Sequence, residues 1–202
     1  MREMREHFRK LRGGTIFSSL RVVLLWVLFA LLWSAGTTDG TTFRRLSLGE
    51  LATAAEAVVR VRCLSRESRW EGGEIWTLTQ FEVVENLKGN VPRLLAVRTL
   101  GGRVGHVQSF VEGAPAFRAG EEVFLFLVSR RPDSFGVLGW AQGTFRIRAD
   151  ASTGGERVTQ DSAGLAAANP NAGKLPRKGI RNLPVEEFRR KVAEAAELSG
   201  RP

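Results

Sequence analysis

The chain has 202 residues, 43% hydrophobic and 25% charged, with a formal charge of +9 and a single cysteine. Such a composition belongs to one globular domain with appendages and excludes a disordered, collagen-like or disulfide-stapled chain. Six basic and two acidic side chains fall in the first 36 residues, which leaves +5 on the remainder. That remainder is mostly arginine scattered among glutamate, and such interleaving suits a solvated surface better than a phosphate-binding stripe.

The chain opens with the basic segment "MREMREHFRKLRGGTIFSSLR", continues with twelve unbroken apolar residues at 22–33, and then turns polar in "SAGTTDGTT". This order is that of a secretory signal peptide, with Ser34 and Gly36 small enough to stand three and one residues before a cut after Gly36. The alternative is an uncleaved anchor over residues 13–36. A spanning helix needs about 20 consecutive apolar residues, and Arg21 in mid-span would cost roughly 2.5–3.5 kcal/mol, so cleavage is the expectation. Either way the following domain is expected outside the cytoplasm, periplasmic or extracellular, with membrane contact only through residues 13–36 if the segment is retained.

"LSLGELATAAEA" reads as a short helix in which Ser47 caps, Glu50 completes a capping box, and Leu46 and Leu51 form a hydrophobic staple. Strand patterns follow. "VVRVRCL" alternates apolar with arginine and turns Cys63 inward as a buried thiol, "EGGE" turns the chain, and "IWTLTQFEVV" returns as the second arm of a hairpin. After the turn "NLKGNVP" come a third strand, "RLLAVRTL", a break at "GGRVG", a fourth strand, "HVQSFV", and a loop, "EGAPAFRAGE". A fifth strand, "EVFLFLVS", is apolar almost throughout and is expected centrally in the sheet. "FGVLGW", "GTFRIRA" and a weak "RVTQ" complete the strands. Residues 161–183 read as a flexible linker, and residues 184–202 as a helix with Pro184 at its first position and a narrow apolar face of Val185, Phe188, Val192 and Ala196, enough to dock against the barrel.

The expected fold is all-β with flanking helices. A small Greek-key, OB-like β-barrel occupies residues 37–160 behind its short leading helix, and a separate C-terminal helix follows the linker. "VVRVRCLSRESRW", "FEVVENLKGN", "GAPAFRAGEEVFLFLV" and "GWAQGTFRI" together resemble a group of exported bacterial proteins of unknown function. More distantly, residues 46–147 resemble the netrin-like module of tissue inhibitors of metalloproteinases, which implies an OB barrel. That family begins its mature chain with a metal-chelating cysteine and is stapled by disulfides. Here the mature chain would begin near Thr37 with Cys63 inside a strand, so the resemblance carries the fold and no functional residue.

The chemistry-bearing residues are few. Beyond the signal segment His106 is the only histidine, and no metal-binding, nucleophile-elbow or phosphate-loop motif accompanies it. The glycines of "GGRVG" read as turn residues needing positive φ. The acids Glu71, Glu74, Glu82, Glu85, Glu121 and Glu122 read as solvated turn residues. No catalytic, cofactor or metal residue is implied, and the expected function is an exported, non-enzymatic module for a protein or glycan partner. Trp70, Trp76, Trp140 and His106 are the candidate contact residues. Two alternatives stand beside it: a hydrolase-like enzyme using His106, and a single-stranded nucleic-acid binder using Arg60, Arg62, Arg93 and Arg98. Mass spectrometry of the exported chain should find Thr37 at its N terminus, whereas a chain retaining residues 13–36 identifies an anchor.

Overall fold

The computed structural model describes Trp26, residues 45–162 and residues 179–199. The expected signal segment, apart from Trp26, and residues 163–178 of the expected linker lie outside the described residues. The chain divides into two compact units, Met1–Arg44 and Arg45–Pro202, and the fold that follows is that of the second. Among the described residues no helix is long and apolar enough to cross a membrane.

Helix α1 (Leu48–Ala54) begins with the expected capping box: Ser47 Oγ accepts from the Glu50 amide at 3.2 Å and Glu50 Oε2 accepts from the Ser47 amide at 2.8 Å. At its other end Lys88 Nζ donates to the carbonyl oxygens of Ala52, Thr53 and Ala55 at 2.7–3.0 Å, placing a cation where the helix dipole is negative. Ten strands follow among the described residues: β1 (Ala57–Glu71), β2 (Glu74–Lys88), β3 (Leu94–Leu100), β4 (Gly102–Val104), β5 (Val107–Ser109), β6 (Glu122–Arg131), β7 (Ser134–Val137), β8 (Thr144–Ala149), β9 (Glu156–Gln160) and β10 (Leu183–Pro184). Helix α2 (Val185–Ser199) ends the described chain.

Five of these strands close on themselves. β1, β2 and β3 pair in antiparallel succession, β3 pairs in parallel with β7 at Val97 and Phe135, β7 pairs with β6, and β6 pairs back to β1. β8, β9 and β10 extend the sheet outward from β6. One edge of β6 serves β1, with the Glu56 amide donating to Leu127 O. The opposite edge serves β8 and then β7, with the Leu138 amide donating to Phe126 O. Register shifts at Val58/Val59, Arg60/Val61 and Cys63/Ser65 bend β1, so that a single strand reaches both partners.

The two faces of β6 enter two cores. Val123, Leu125 and Leu127 point into the ring against Val61, Phe81 and Val97, while Phe124 and Phe126 point out against the helices. This two-sided burial explains the nearly unbroken apolar run that placed the strand centrally. Cys63 faces the ring and is buried, as its alternation implied. Burial pushes its thiol pKa up, Glu121 adds to the rise, and Arg66 opposes it.

Two expectations are corrected. The strand "HVQSFV" is absent from the ring: only Val107–Ser109 is extended, and it pairs with β4 in a separate two-stranded sheet. Its apolar side chains Val107 and Phe110 are exposed, so it offers no face to bury, and β7 takes its place with the buried Val137. The C-terminal helix docks through the apolar face expected of it, and so deeply that it is part of the domain and not a separate element. Val185, Phe188, Val192 and Ala195 are buried in the core that α1 shares, and Ala196 is only partly covered. The Phe188 ring lies 4.8 Å from Phe124 and 5.0 Å from Phe145, and Arg189 reaches Glu85 of β2 at 2.7 Å. At the described ends of the expected linker, Asp161 pairs with Arg146 and Leu183 with Val158.

Phe188→Ala should therefore destabilise the domain by about 3–5 kcal/mol, the usual effect of deleting a buried aromatic side chain. Urea unfolding reads this directly, and a change below about 1 kcal/mol would mark α2 as an appendage.

Candidate binding groove

Inside the ring the side chains change character along the strands. Inward positions of β2 run Ile75, Thr77, Thr79 and Phe81, and those of β3 run Leu95, Val97 and Thr99, all of them buried. The threonines face a cavity of about 560 Å³ that also takes in Arg66 and Ser68 of β1, Arg103 of β4 and Phe110. A second cavity of about 330 Å³ is bounded by Trp76, Arg98, Arg130, Arg131, Val137 and Trp140. Thr99, Leu100, Ala114 and Pro115 border both, so the two cavities adjoin, and we refer to the adjoining pair as the groove.

Glycine allows the strands to converge here. Ser68 Oγ and Thr77 Oγ1 lie 2.8 Å apart, and Thr77 Oγ1 donates to Gly101 O at 2.6 Å. Gly102, at φ 137°, packs directly on this pair, and a Cβ at that position would collide with both hydroxyl oxygens. The run "GGRVG" is thus architectural, as its glycines suggested, and it also forms part of the groove wall.

The groove is lined by five arginines, namely Arg66, Arg98, Arg103, Arg130 and Arg131, and by no aspartate or glutamate. Arg98 and Arg131 are held by the two oxygens of Glu71 at 2.7 and 2.8 Å. The Arg98 hydrogen bond is the main reason that Glu71 has a pKa below its ordinary value; desolvation opposes it and Arg131 reinforces it. The Arg98 guanidinium also sits 4.1 Å from the centre of the Trp76 ring. Arg66 donates to Phe117 O at 3.1 Å but has no carboxylate partner among the described residues. Arg103 and Arg130 have neither a hydrogen bond nor an ion pair from their side chains among those residues.

The structure sorts the sequence candidates. Trp76 and Trp140 come together on the wall of the smaller cavity. Trp140 has φ 55°, a left-handed backbone unusual for a bulky residue, and such local strain concentrates at functional surfaces. Trp70 is half-exposed on the β1–β2 hairpin opposite Ile75, away from the groove lining. His106 is exposed in the turn between β4 and β5, with no hydrogen bond or ion pair among the described residues. No three of His, Cys, Asp and Glu are gathered there in a metal-binding arrangement.

The four arginines considered for nucleic acid are committed to carboxylates: Arg60 to Glu122 and Glu156, Arg62 to Glu122, Arg93 to Glu82, and Arg98 to Glu71. Accordingly Glu71, Glu82, Glu85, Glu121 and Glu122, read in the sequence as solvated turn residues, are ion-pair partners. Missed in the sequence were Arg66, Arg103, Arg130, Phe110 and the threonine row. "TLT" in β2 was the available signal, since it places two hydroxyls on the buried face of an otherwise apolar strand.

No protein-family model matches the chain, and no curated protein matches it.

The carboxylates make stability depend on pH in one direction. For Glu122 burial raises the pKa, but hydrogen bonds from Arg62 and Arg60 outweigh it and the net shift is downward; Glu56 is lowered by the hydroxyl and then the amide of Ser129. Groups lowered on folding contribute stability above the unfolded value, 4.5 for these glutamates, and lose that contribution as pH falls through the folded value. The melting temperature should hold level between about pH 8 and 5 and fall below about pH 4. Glu122→Gln should flatten that fall, and a melting temperature that climbs on acidification would contradict the assignment.

Proposed function

We propose that this protein is an exported, non-enzymatic binding module that holds an anionic protein or glycan partner in the groove beside Trp76 and Trp140. One observation carries the reading: five arginines and no acid line two adjoining cavities, and three of those arginines lack a carboxylate partner among the described residues. Elsewhere Arg60, Arg62, Arg146, Arg157 and Arg189 are each neutralised by an acid. Unneutralised cations in a concave surface attract and orient an anion, because low-dielectric walls strengthen the field between them.

The same reading takes the five-strand ring as an OB-like Greek-key barrel of the netrin-like kind. Its support is the connectivity, with three strands in succession, β6 returning beside β1, and β7 closing in parallel on β3. OB barrels bind along their second and third strands and the neighbouring loops, where Trp76, Arg98 and Arg131 stand. Export rests on the basic, apolar and small-residue order of residues 1–36. Inhibition through a metal-chelating cysteine forms no part of the reading, since Cys63 is buried in the ring. The enzyme alternative depends on His106, which lies outside the groove lining.

Affinity capture from the exported fraction tests the proposal. The wild-type chain should retain a partner that is released by salt, and Arg103→Glu with Arg130→Glu should lose it. Equal capture by the variant contradicts the proposal, as does turnover of a small substrate by a protein that captures nothing.

A further inference from the structure

We infer that the groove takes an extended acidic segment of a polypeptide, in which aspartate or glutamate alternates with apolar side chains. The inference rests on the groove being the contact surface and goes further by naming what occupies it. Three features of the lining decide between polyanions.

The first is the kind of cation. Guanidinium groups match carboxylates in planar two-point geometry, and Arg66, Arg103 and Arg130 have no carboxylate of their own among the described residues. Glu112 and Asp133 lie in segments flanking the groove in sequence, but neither lines it.

The second is the apolar surface between those cations. Leu100 and Trp140, each partly exposed, line the groove, and Phe110 projects from its rim with 82% of its surface exposed. An exposed aromatic side chain beside arginines is the usual mark of a protein contact. A homopolymer of charge would leave these side chains in water, whereas a peptide with apolar side chains between its acids would cover them.

The third is the state of Trp76. Sugar rings and nucleic-acid bases are recognised by stacking on open aromatic faces, and one face of Trp76 is already occupied by the Arg98 guanidinium at 4.1 Å. Glu71 pins that guanidinium, so uncovering the ring means breaking an ion pair. Ser68, partly exposed in the lining, supplies a hydroxyl oxygen suited to an amide of a peptide backbone.

The test titrates three probes into the full chain at about 0.15 M salt, with isothermal calorimetry as the readout. The probes are a random glutamate–tyrosine copolymer, poly-L-glutamate and polygalacturonate, the last supplying the same carboxylates on a glycan. The copolymer should bind at least about tenfold more tightly than either other probe. Arg103→Ala with Arg130→Ala should weaken it by a similar factor, and Phe110→Ala, an exposed position that leaves the core untouched, should weaken the copolymer alone by about threefold or more. Equal binding of all three probes overturns the inference, as do preference for polygalacturonate, absence of binding, or indifference to Phe110→Ala. Preference for polygalacturonate that is lost in the double arginine variant would leave the groove standing as the contact surface. Should the double variant alter neither probe binding nor capture from the exported fraction, the groove reading falls as well.

Discussion

The structure depends on one strand that is apolar on both faces. In β6, Val123, Leu125 and Leu127 fill the ring while Phe124 and Phe126 hold the two helices, so alternate residues of a single segment join two cores. Each such side chain contributes about 1.5–3 kcal/mol when fully withdrawn from water. The free cysteine is buried within the ring, so the described fold is held by packing and not by a covalent link. Phe126, Phe145 and Phe188 meet at centroid distances of 5.0–6.3 Å, which makes the outer core an aromatic cluster spanning sheet and helix.

The same strand sets the position of the groove. Beyond Leu127 its residues cease to be core: Ser129 is tied to Glu56, Arg130 lies against Gly136, and Arg131 reaches Glu71. The loop on the other side is held by Arg146 and Arg66. Arg146 binds Glu121 and Asp161 and donates to Ala116 O at 2.8 Å, with its guanidinium 5.3 Å from the Phe117 ring centre, and Arg66 donates to Phe117 O from the other side. Arginine thus has two uses in this domain. Paired with acids, Arg146 fastens the loop containing Pro115 and Phe117, which Arg66 also holds through Phe117 O, while Arg103 and Arg130, without such partners among the described residues, line the cavities beside it.

Local signals in the sequence were legible wherever they act between near neighbours. Ser47 and Glu50 stand three residues apart, "EGGE" joins two long strands, and alternation around Cys63 and within "EVFLFLVS" reports burial directly. Which strand closes the ring was not legible, because "FGVL" and "HVQSFV" have similar local patterns and differ in whether a distant partner covers them. Nor could the fate of each arginine be read, since Arg60 meets Glu122 and Glu156 across separations of 62 and 96 residues. Trp76 and Trp140 were found as residue types suited to contact, but their meeting with Arg130 follows from the parallel closure of β3 on β7.

Native-state hydrogen exchange tests the two-sided strand most directly. If β6 unites the cores, the amides of Val123, Leu125 and Leu127 and those around Phe188 and Val192 should exchange only through global unfolding, with the same opening free energy and the same dependence on denaturant. Exchange of the helix amides through a separate opening of much lower free energy, while β6 stays protected, would contradict the account.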